Sequence, residues 1–474
     1  MSGGPARRRA ADTEPPAERN RPVPGDSTAA PAPHGRVTVT DERLVRRAVK
    51  AAALGNAMEW FDFGVYSYLA VTIGDVFFPS GDGTVRLLSS LATFAVAFLV
   101  RPLGGLFFGP LGDRVGRKRV LALTMVLMAA GTFAIGLIPS YATAGFWAPV
   151  LLIVLRMLQG FSTGGEYGGA ATFIAEYAPD KRRGYYGSFL EFGTLAGYVG
   201  AAGLVTVMGV WLGGDGMREW GWRVPFLVAG PLGLVGLYLR LRLEDTPAFR
   251  RLAEKPVEAV GPAAILRTQW PRLTLCVLLA GAYGITDYTL LSYLPTYLTD
   301  RLGYDDTHGT AVLIVTMLLL MCVITGLGRL GDRVGRKPLL AAGMGGSVVL
   351  SVPAFLLLGQ GGGPAVLGGT LLLGLPLVCL LATMSAALPA LFPTRVRYGS
   401  LSIGYNLATS LFGGTTPLIT TGLIHATGSD LAPAWYAAGA ALVGLAAVAC
   451  MKETAGRPLE GSPPSVSAQE ATGA

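Results

Sequence analysis

Long apolar runs alternate with short polar turns along most of the chain, and about 20 apolar residues is the length a helix needs to cross a bilayer. Such runs fall near 52–77, 84–110, 119–138, 146–175, 184–212 and 222–240, then near 272–298, 309–330, 338–358, 364–391, 398–425 and 431–451. This pattern predicts an all-α membrane protein of twelve transmembrane helices in two six-helix, pseudo-symmetric halves. A charged stretch interrupted by Pro256 and Pro262 separates the halves. The expected organisation is a disordered tail over 1–42, an N-terminal six-helix bundle over 43–240, a linker over 241–271, a C-terminal six-helix bundle over 272–452 and a disordered tail over 453–474. Both tails are small, polar or Pro-rich, and the first has no apolar segment of the kind a signal peptide requires.

The two halves share a ten-residue block. Gly109-Pro110-Leu111-Gly112-Asp113-Arg114-Val115-Gly116-Arg117-Lys118 and Gly328-Arg329-Leu330-Gly331-Asp332-Arg333-Val334-Gly335-Arg336-Lys337 start 219 residues apart and differ only at Pro110 versus Arg329. Solenoid repeats have periods of roughly 20–50 residues, so the spacing indicates a duplicated half-molecule of the kind found in secondary transporters.

Composition agrees with a lipid solvent: 51% of residues are hydrophobic and 14% charged, against roughly 25% charged in soluble domains. The net charge of +8 is concentrated in alternate loops, at 43–50, 113–119, 181–183, 240–272, 333–337, 395–397 and 452–457, while 141–146 and 360–364 carry no positive charge. The positive-inside rule therefore assigns the basic loops and both termini to the cytoplasm, and no nucleic-acid partner is needed to explain the charge. Cys276, Cys322, Cys379 and Cys450 are isolated in apolar runs, and His34, His308 and His425 are scattered. Neither a metal, a disulfide nor a Cys/His nucleophile is indicated. Gly359–Gly363 lacks the Lys-Ser/Thr that completes a phosphate loop. No cofactor and no enzymatic activity are expected.

The repeated block resembles the loop motif between the second and third helices of the major facilitator superfamily, with its counterpart between the eighth and ninth. Gly112 and Gly116 permit a tight reversal, Asp113 can meet the positive end of a neighbouring helix, and Arg117 can pair with an acid such as Glu176. With Asp332 and Arg336 in the second copy, these residues form an expected conformational latch; the alternative is a purely topogenic basic cluster. Further motifs are similar to the metabolite:proton symporter family: Gly55-Asn56-Ala57-Met58-Glu59-Trp60-Phe61-Asp62-Phe63-Gly64-Val65-Tyr66, Arg101-Pro102-Leu103-Gly104-Gly105, Gln159-Gly160-Phe161-Ser162-Thr163-Gly164-Gly165-Glu166-Tyr167, Trp220-Gly221-Trp222-Arg223-Val224-Pro225-Phe226 and Glu244-Asp245-Thr246-Pro247-Ala248-Phe249. Phe392-Pro393-Thr394-Arg395-Val396-Arg397-Tyr398 and Lys452-Glu453-Thr454-Ala455 resemble its proline/betaine branch. Some members of that branch carry a C-terminal coiled coil linked to osmotic regulation, and no heptads follow Pro458 here.

Charges inside apolar spans are costly and mark function by default. Glu59, Asp62 and Tyr66 lie within roughly 60° of arc on the first helix, so they are expected to face one neighbour. Arg156, Gln159, Thr163 and Glu166 form a stripe on the fourth. A proton-coupled carrier needs a carboxyl that burial favours neutral and an approaching Arg favours ionised. Glu59, Asp62, Glu166 and Glu191, with Arg156 as the approaching charge, are the proton-coupling candidates; ordinary structural ion pairs remain the alternative. Arg101 suits a substrate carboxylate because guanidinium binds it bidentately, unless it snorkels toward its helix end. Trp60, Phe61, Phe63, Tyr66 and Tyr68 offer faces to a quaternary ammonium or simply pack. Tyr283, Asp287 and Asn406 are the candidates from the C-terminal half, and the resemblance implies an aromatic residue where Asp287 stands. The expected function is a proton symporter that imports a small zwitterion such as proline or glycine betaine by alternating access. A carboxylate such as 2-oxoglutarate, citrate or shikimate is the alternative substrate, and a non-transporting membrane sensor is the alternative class.

Overall fold

The computed structural model describes residues 38–79, 81–115, 117–241 and 261–467. Twelve helical runs follow one another: α1 (Glu42–Tyr68, prolonged by Ala70–Phe77), α2 (Gly83–Val115), α3 (Arg117–Leu137), α4 (Trp147–Tyr177), α5 (Arg183–Gly216), α6 (Arg223–Leu241), α7 (Pro262–Arg301), α8 (Asp306–Val334), α9 (Arg336–Leu358), α10 (Gly363–Ala387), α11 (Arg397–Thr427) and α12 (Ala432–Cys450). Among the described residues nine helices are long and apolar enough to cross a bilayer, and α3 and α6 add shorter apolar stretches at Ala122–Leu137 and Arg223–Tyr238. The remaining helix, α1, is less apolar because it carries Asn56, Glu59 and Asp62, all of which are buried. The molecule is thus apolar outside and polar within. Val210, Leu234, Val349 and Leu442 are more than half exposed, whereas Arg101, Arg156, Glu166, Glu191 and Asp287 are buried.

Small residues determine how closely the helices that carry these charges approach. A Cβ on Gly160 of α4 would stand 1.7 Å from the Ala97 carbonyl oxygen of α2, and one on Gly104 would stand 1.8 Å from that of Phe161. The resulting close contact brings Arg101 of α2 and Arg156 of α4 to the same Phe63 ring, at 4.6 and 5.3 Å from its centroid. Among the described residues, α4, α7 and α11 each depart from regular α geometry. Gly164-Gly165 interrupts α4, wide π turns at Thr289–Tyr293 and Tyr297–Arg301 flank Pro295 in α7, and another occupies Thr409–Gly413 in α11. Pro295 has no N–H to donate, and single π turns often mark functional sites.

Two boundaries differ from expectation. Helix α7 begins at Pro262 rather than near 272, with Pro in its first turn after Gly261, a position where the missing N–H costs nothing. The expected linker over 241–271 otherwise lies largely outside the described residues. The tails are also more ordered than their composition suggests. Strand β1 (Thr38–Thr40) pairs in parallel with β2 (Ser465–Ser467), in the register Thr38↔Ser465, Val39↔Val466 and Thr40↔Ser467. Ahead of β2 the chain lies along the bundle. Arg183 donates to the Arg457 carbonyl at 3.1 Å, Arg397 and the Thr394 N–H donate to the Glu460 carbonyl at 3.2 and 2.9 Å, and the Ser465 N–H donates to Asp180 at 3.0 Å. Residues 453–467 are therefore a strap from the end of α12 to the N-terminal half, held by backbone hydrogen bonds that composition does not reveal.

Candidate functional site

The first polar cluster lies where α1, α2, α3 and α4 meet. Arg101 Nη2 is 3.0 Å from Glu59 Oε1, and the two residues are 1% and 2% exposed. Arg101 therefore does not snorkel toward its helix end, and its guanidinium meets Glu59. Arg101 is also 4.5 Å from the Phe98 ring centroid, while Arg156 stands 4.2 Å from that of Tyr66. The faces of Phe63 and Tyr66 are thus occupied by the protein's own cations. A relay continues from Arg156, which donates to Gln159. Gln159 donates to Thr132 Oγ1 at 2.7 Å, and Thr132 donates to Asp62 at 2.9 Å. Glu59 and Asp62 therefore turn to different neighbours, α2 and α3, because their small angular separation falls across the seam between those helices. The α4 stripe is likewise divided by Gly164-Gly165, and Glu166 accepts from Thr124 of α3 at 2.9 Å.

The second cluster joins the halves. Glu191 of α5 accepts from Tyr167 at 2.7 Å, Thr194 at 2.9 Å and Tyr283 of α7 at 3.3 Å. Tyr405 of α11 stacks on Tyr167, with centroids 3.8 Å apart and planes at 7°. Asn406 donates to the Gly164 carbonyl across the same interface. Asp287 is buried, and its Oδ1 has no hydrogen-bond partner among the described residues. Beside it in sequence, Tyr288 meets Trp60 edge-on at 5.7 Å, and Trp60 stacks on Tyr198 at 5.5 Å. Tyr198 in turn shares a 2.7 Å hydrogen bond with Ser292. Trp60, Tyr198 and Tyr288 thus form a three-ring group at the boundary between halves, with Trp60 Nε1 and Tyr288 Oη lacking hydrogen-bond partners among the described residues.

The third cluster lies at the end of the bundle where α8 turns into α9. Asp332 accepts from the N–H groups of Gly184 and Tyr185, at 2.7 and 2.8 Å, in the first turn of α5. A carboxylate of one half thereby caps the positive end of a helix of the other. Gly328 permits the approach, since a Cβ there would stand 2.8 Å from the Gly184 carbonyl oxygen. Arg336 is buried, with Nη2 3.9 Å from Asp332 and Nη1 donating to Thr454 at 3.0 Å. Glu453 accepts from the N–H groups of Arg336 and Lys337 at 3.0 and 2.9 Å, and so caps α9. Asp332, the counterpart of Asp113 in the second copy, thus makes a charge–dipole contact of the kind expected of Asp113. Gly116 lies outside the described residues, as do the surroundings of Gly112 and the side chains of Asp113 and Arg117. Glu176 is 2.9 Å from Arg397 of α11; its expected pairing with Arg117 lies outside the described residues.

Sequence reasoning did not single out Tyr198, Thr132, Arg183 or Arg397 as site residues. A signal for the two arginines is present: Arg183-Gly184-Tyr185-Tyr186-Gly187-Ser188 and Arg397-Tyr398-Gly399-Ser400 open α5 and α11 with related residues.

Comparison with known proteins agrees with this architecture. A family model described as Major Facilitator Superfamily matches residues 52–417. The chain belongs to that superfamily, whose similar members are transporters rather than enzymes, and it is a multi-pass inner-membrane protein. It is 45% identical over 443 residues to the proline/betaine transporter of Salmonella typhimurium, covering 91% of this chain and 88% of that protein. It is also 45% identical over 441 residues to the glycine betaine/proline/ectoine/pipecolic acid transporter OusA of Dickeya dadantii, with the same coverage. Among solved structures, the proton:xylose symporter XylE superimposes with a TM-score of 0.69 at 18% identity, over 89% of this chain and 98% of that one.

Proposed function

We propose that this protein is a proton-coupled symporter that imports a small zwitterion such as proline or glycine betaine by alternating access, with the motif end and both termini in the cytoplasm. The basic clusters at that end support the orientation, and the solutes named for the relatives support the substrate class. The observation that carries the mechanism is the buried Arg101–Glu59 pair. A substrate carboxylate competes with Glu59 for the same guanidinium. Protonation of Glu59 releases Arg101 and favours carboxylate binding, while loss of the proton returns Arg101 to Glu59 and expels the solute. Proton and solute therefore bind together. Asp62, at the end of the relay from Arg156, and Glu191, held by residues of both halves, are the other acids placed to sense movement between halves. Trp60 and Asp287, with Tyr283 and Asn406 from the C-terminal half, supply the remaining surface, where Asp287 and the ring group of Trp60 receive the cationic end of the solute; Tyr66 is taken up by Arg156.

One observation favours a second reading. Arg156 Nε and Nη2 lack hydrogen-bond partners among the described residues, so a second buried cation is available to a dicarboxylate. Uptake of a radiolabelled panel separates the readings: proline or glycine betaine should enter saturably and compete with each other. Saturable entry of 2-oxoglutarate or citrate without competition from either would establish the carboxylate reading. Absence of uptake for every solute by correctly inserted protein would leave the sensor class.

A further inference from the structure

Beside the latch, the first turns of α1 and α5 and the last turns of α8 enclose a partly open cavity of about 710 Å³. Six cations line it: Arg46 and Lys50 from α1, Lys181 and Arg182 from the approach to α5, and Arg329 and Arg333 from α8. Both pairs on helices are spaced i,i+4, so each presents two like charges on one face, an arrangement that destabilises a helix unless something offsets it. Asp332 is committed to the α5 N–H groups, and Glu42 pairs with Arg46 at 3.1 Å and Arg182 at 2.8 Å on the exposed rim. The remaining wall is partly apolar, with Val49, Tyr186 and Phe189.

Arg329 is the one position at which the two copies of the repeated block differ, with Pro110 in the first. Its guanidinium lies 4.3 Å from the Tyr185 ring centroid. That contact holds the cation in the cavity without using a hydrogen-bond donor. A topogenic charge needs only to reside in the loop. This one stands in a concave site whose walls come from both halves.

We propose that this cavity binds a phosphate-bearing anion, the chemistry shared by a phospholipid headgroup and a soluble phosphate ester, and that the bound anion favours the form in which the motif end is closed. Guanidinium and ammonium groups are the usual ligands of phosphate. Because α1 and the turn before α5 supply four of the cations and α8 the other two, the full set converges only when the halves meet. Any ligand that requires the full set shifts the equilibrium toward that form. Its effect on uptake rests on the transport reading, but binding does not.

The test uses full-length protein in phosphatidylcholine nanodiscs, with and without phosphatidylglycerol, and in a third arm with sodium phosphate in the buffer. Retained lipid is read by native mass spectrometry and closure by thermal stability. Arg329→Gln/Arg333→Gln is compared with Arg267→Gln/Arg395→Gln, which removes two exposed cations elsewhere at the same end. Phosphatidylglycerol should be retained and raise the melting temperature, with affinity about tenfold or more weaker in Arg329→Gln/Arg333→Gln only. Protection by sodium phosphate in phosphatidylcholine discs, lost in the same variant, would assign the site to a soluble phosphate. Equal binding by both double variants, or no binding of either probe by the unmodified protein, would overturn the proposal.

Discussion

Arg101 and Glu59 form an ion pair that is sealed from solvent, with Nη2 and Oε1 3.0 Å apart and the Phe63 and Phe98 rings against the guanidinium. Removing one partner of such a pair leaves an uncompensated buried charge and costs about 3–5 kcal/mol. Glu59→Gln should therefore lower thermal stability and abolish uphill accumulation, while Glu59→Gln/Arg101→Gln recovers stability without recovering accumulation. If the double variant is no more stable than the single, the two residues do not act as one energetic unit.

Asp332 joins the halves by capping α5. A charge at a helix N-terminus contributes about 0.3–2 kcal/mol, so Asp332→Asn should reduce the population closed at the motif end by a factor between about 2 and 30. Spin labels at exposed Arg47 and Arg267 report the separation. An unchanged distance distribution would remove Asp332 from the latch.

The strap acts in the same direction. A chain ending after Pro458 lacks the Glu460 carbonyl and β2, so Arg397, Thr394 and Asp180 lose their partners there. The same label pair should show a more open motif end with normal membrane insertion. Composition alone marks these residues as dispensable, and unaltered opening would support that simpler view.

Glu453 gives a pH-dependent test outside the membrane spans. Burial opposes its ionisation, but N–H groups of Ala455, Lys337, Arg336 and Thr454 outweigh burial and bring its carboxyl below the ordinary value of 4.5. Because the folded value is depressed, the stabilisation is present above the unfolded value and is lost as pH falls through the folded one. Glu453→Gln should be less stable than the unmodified protein at neutral pH, and the difference should shrink below about pH 4. A difference that does not vary with pH would show that the ionised carboxylate is not responsible.

Some of this arrangement is legible in the sequence because a charge within an apolar run is too costly to persist without a partner or a use. Glu59, Asp62, Arg101, Arg156 and Asp287 are visible for that reason. Which charge meets which is not visible. The approach of Arg101 and Arg156 to one Phe63 ring depends on how closely α4 sits against α2 at Gly160, and Glu59 and Asp62 diverge because a seam between helices falls between them. The duplicated block reveals the latch acid, but not that its second copy would cap α5. Tyr198 and Tyr288 are inconspicuous because rings in apolar spans usually only pack. The strap depends on a contact between Thr40 and Val466, 426 residues apart, for which no local pattern exists.

Coupling of proton to solute through the Arg101–Glu59 pair is tested most directly in proteoliposomes loaded with a pH-sensitive dye, without an initial pH or sodium gradient. External proline or glycine betaine should acidify the lumen at a rate that saturates with solute, and Glu59→Gln should abolish that acidification while leaving solute exchange measurable. Saturable proline or betaine entry by the unmodified protein with no lumenal acidification would contradict such coupling.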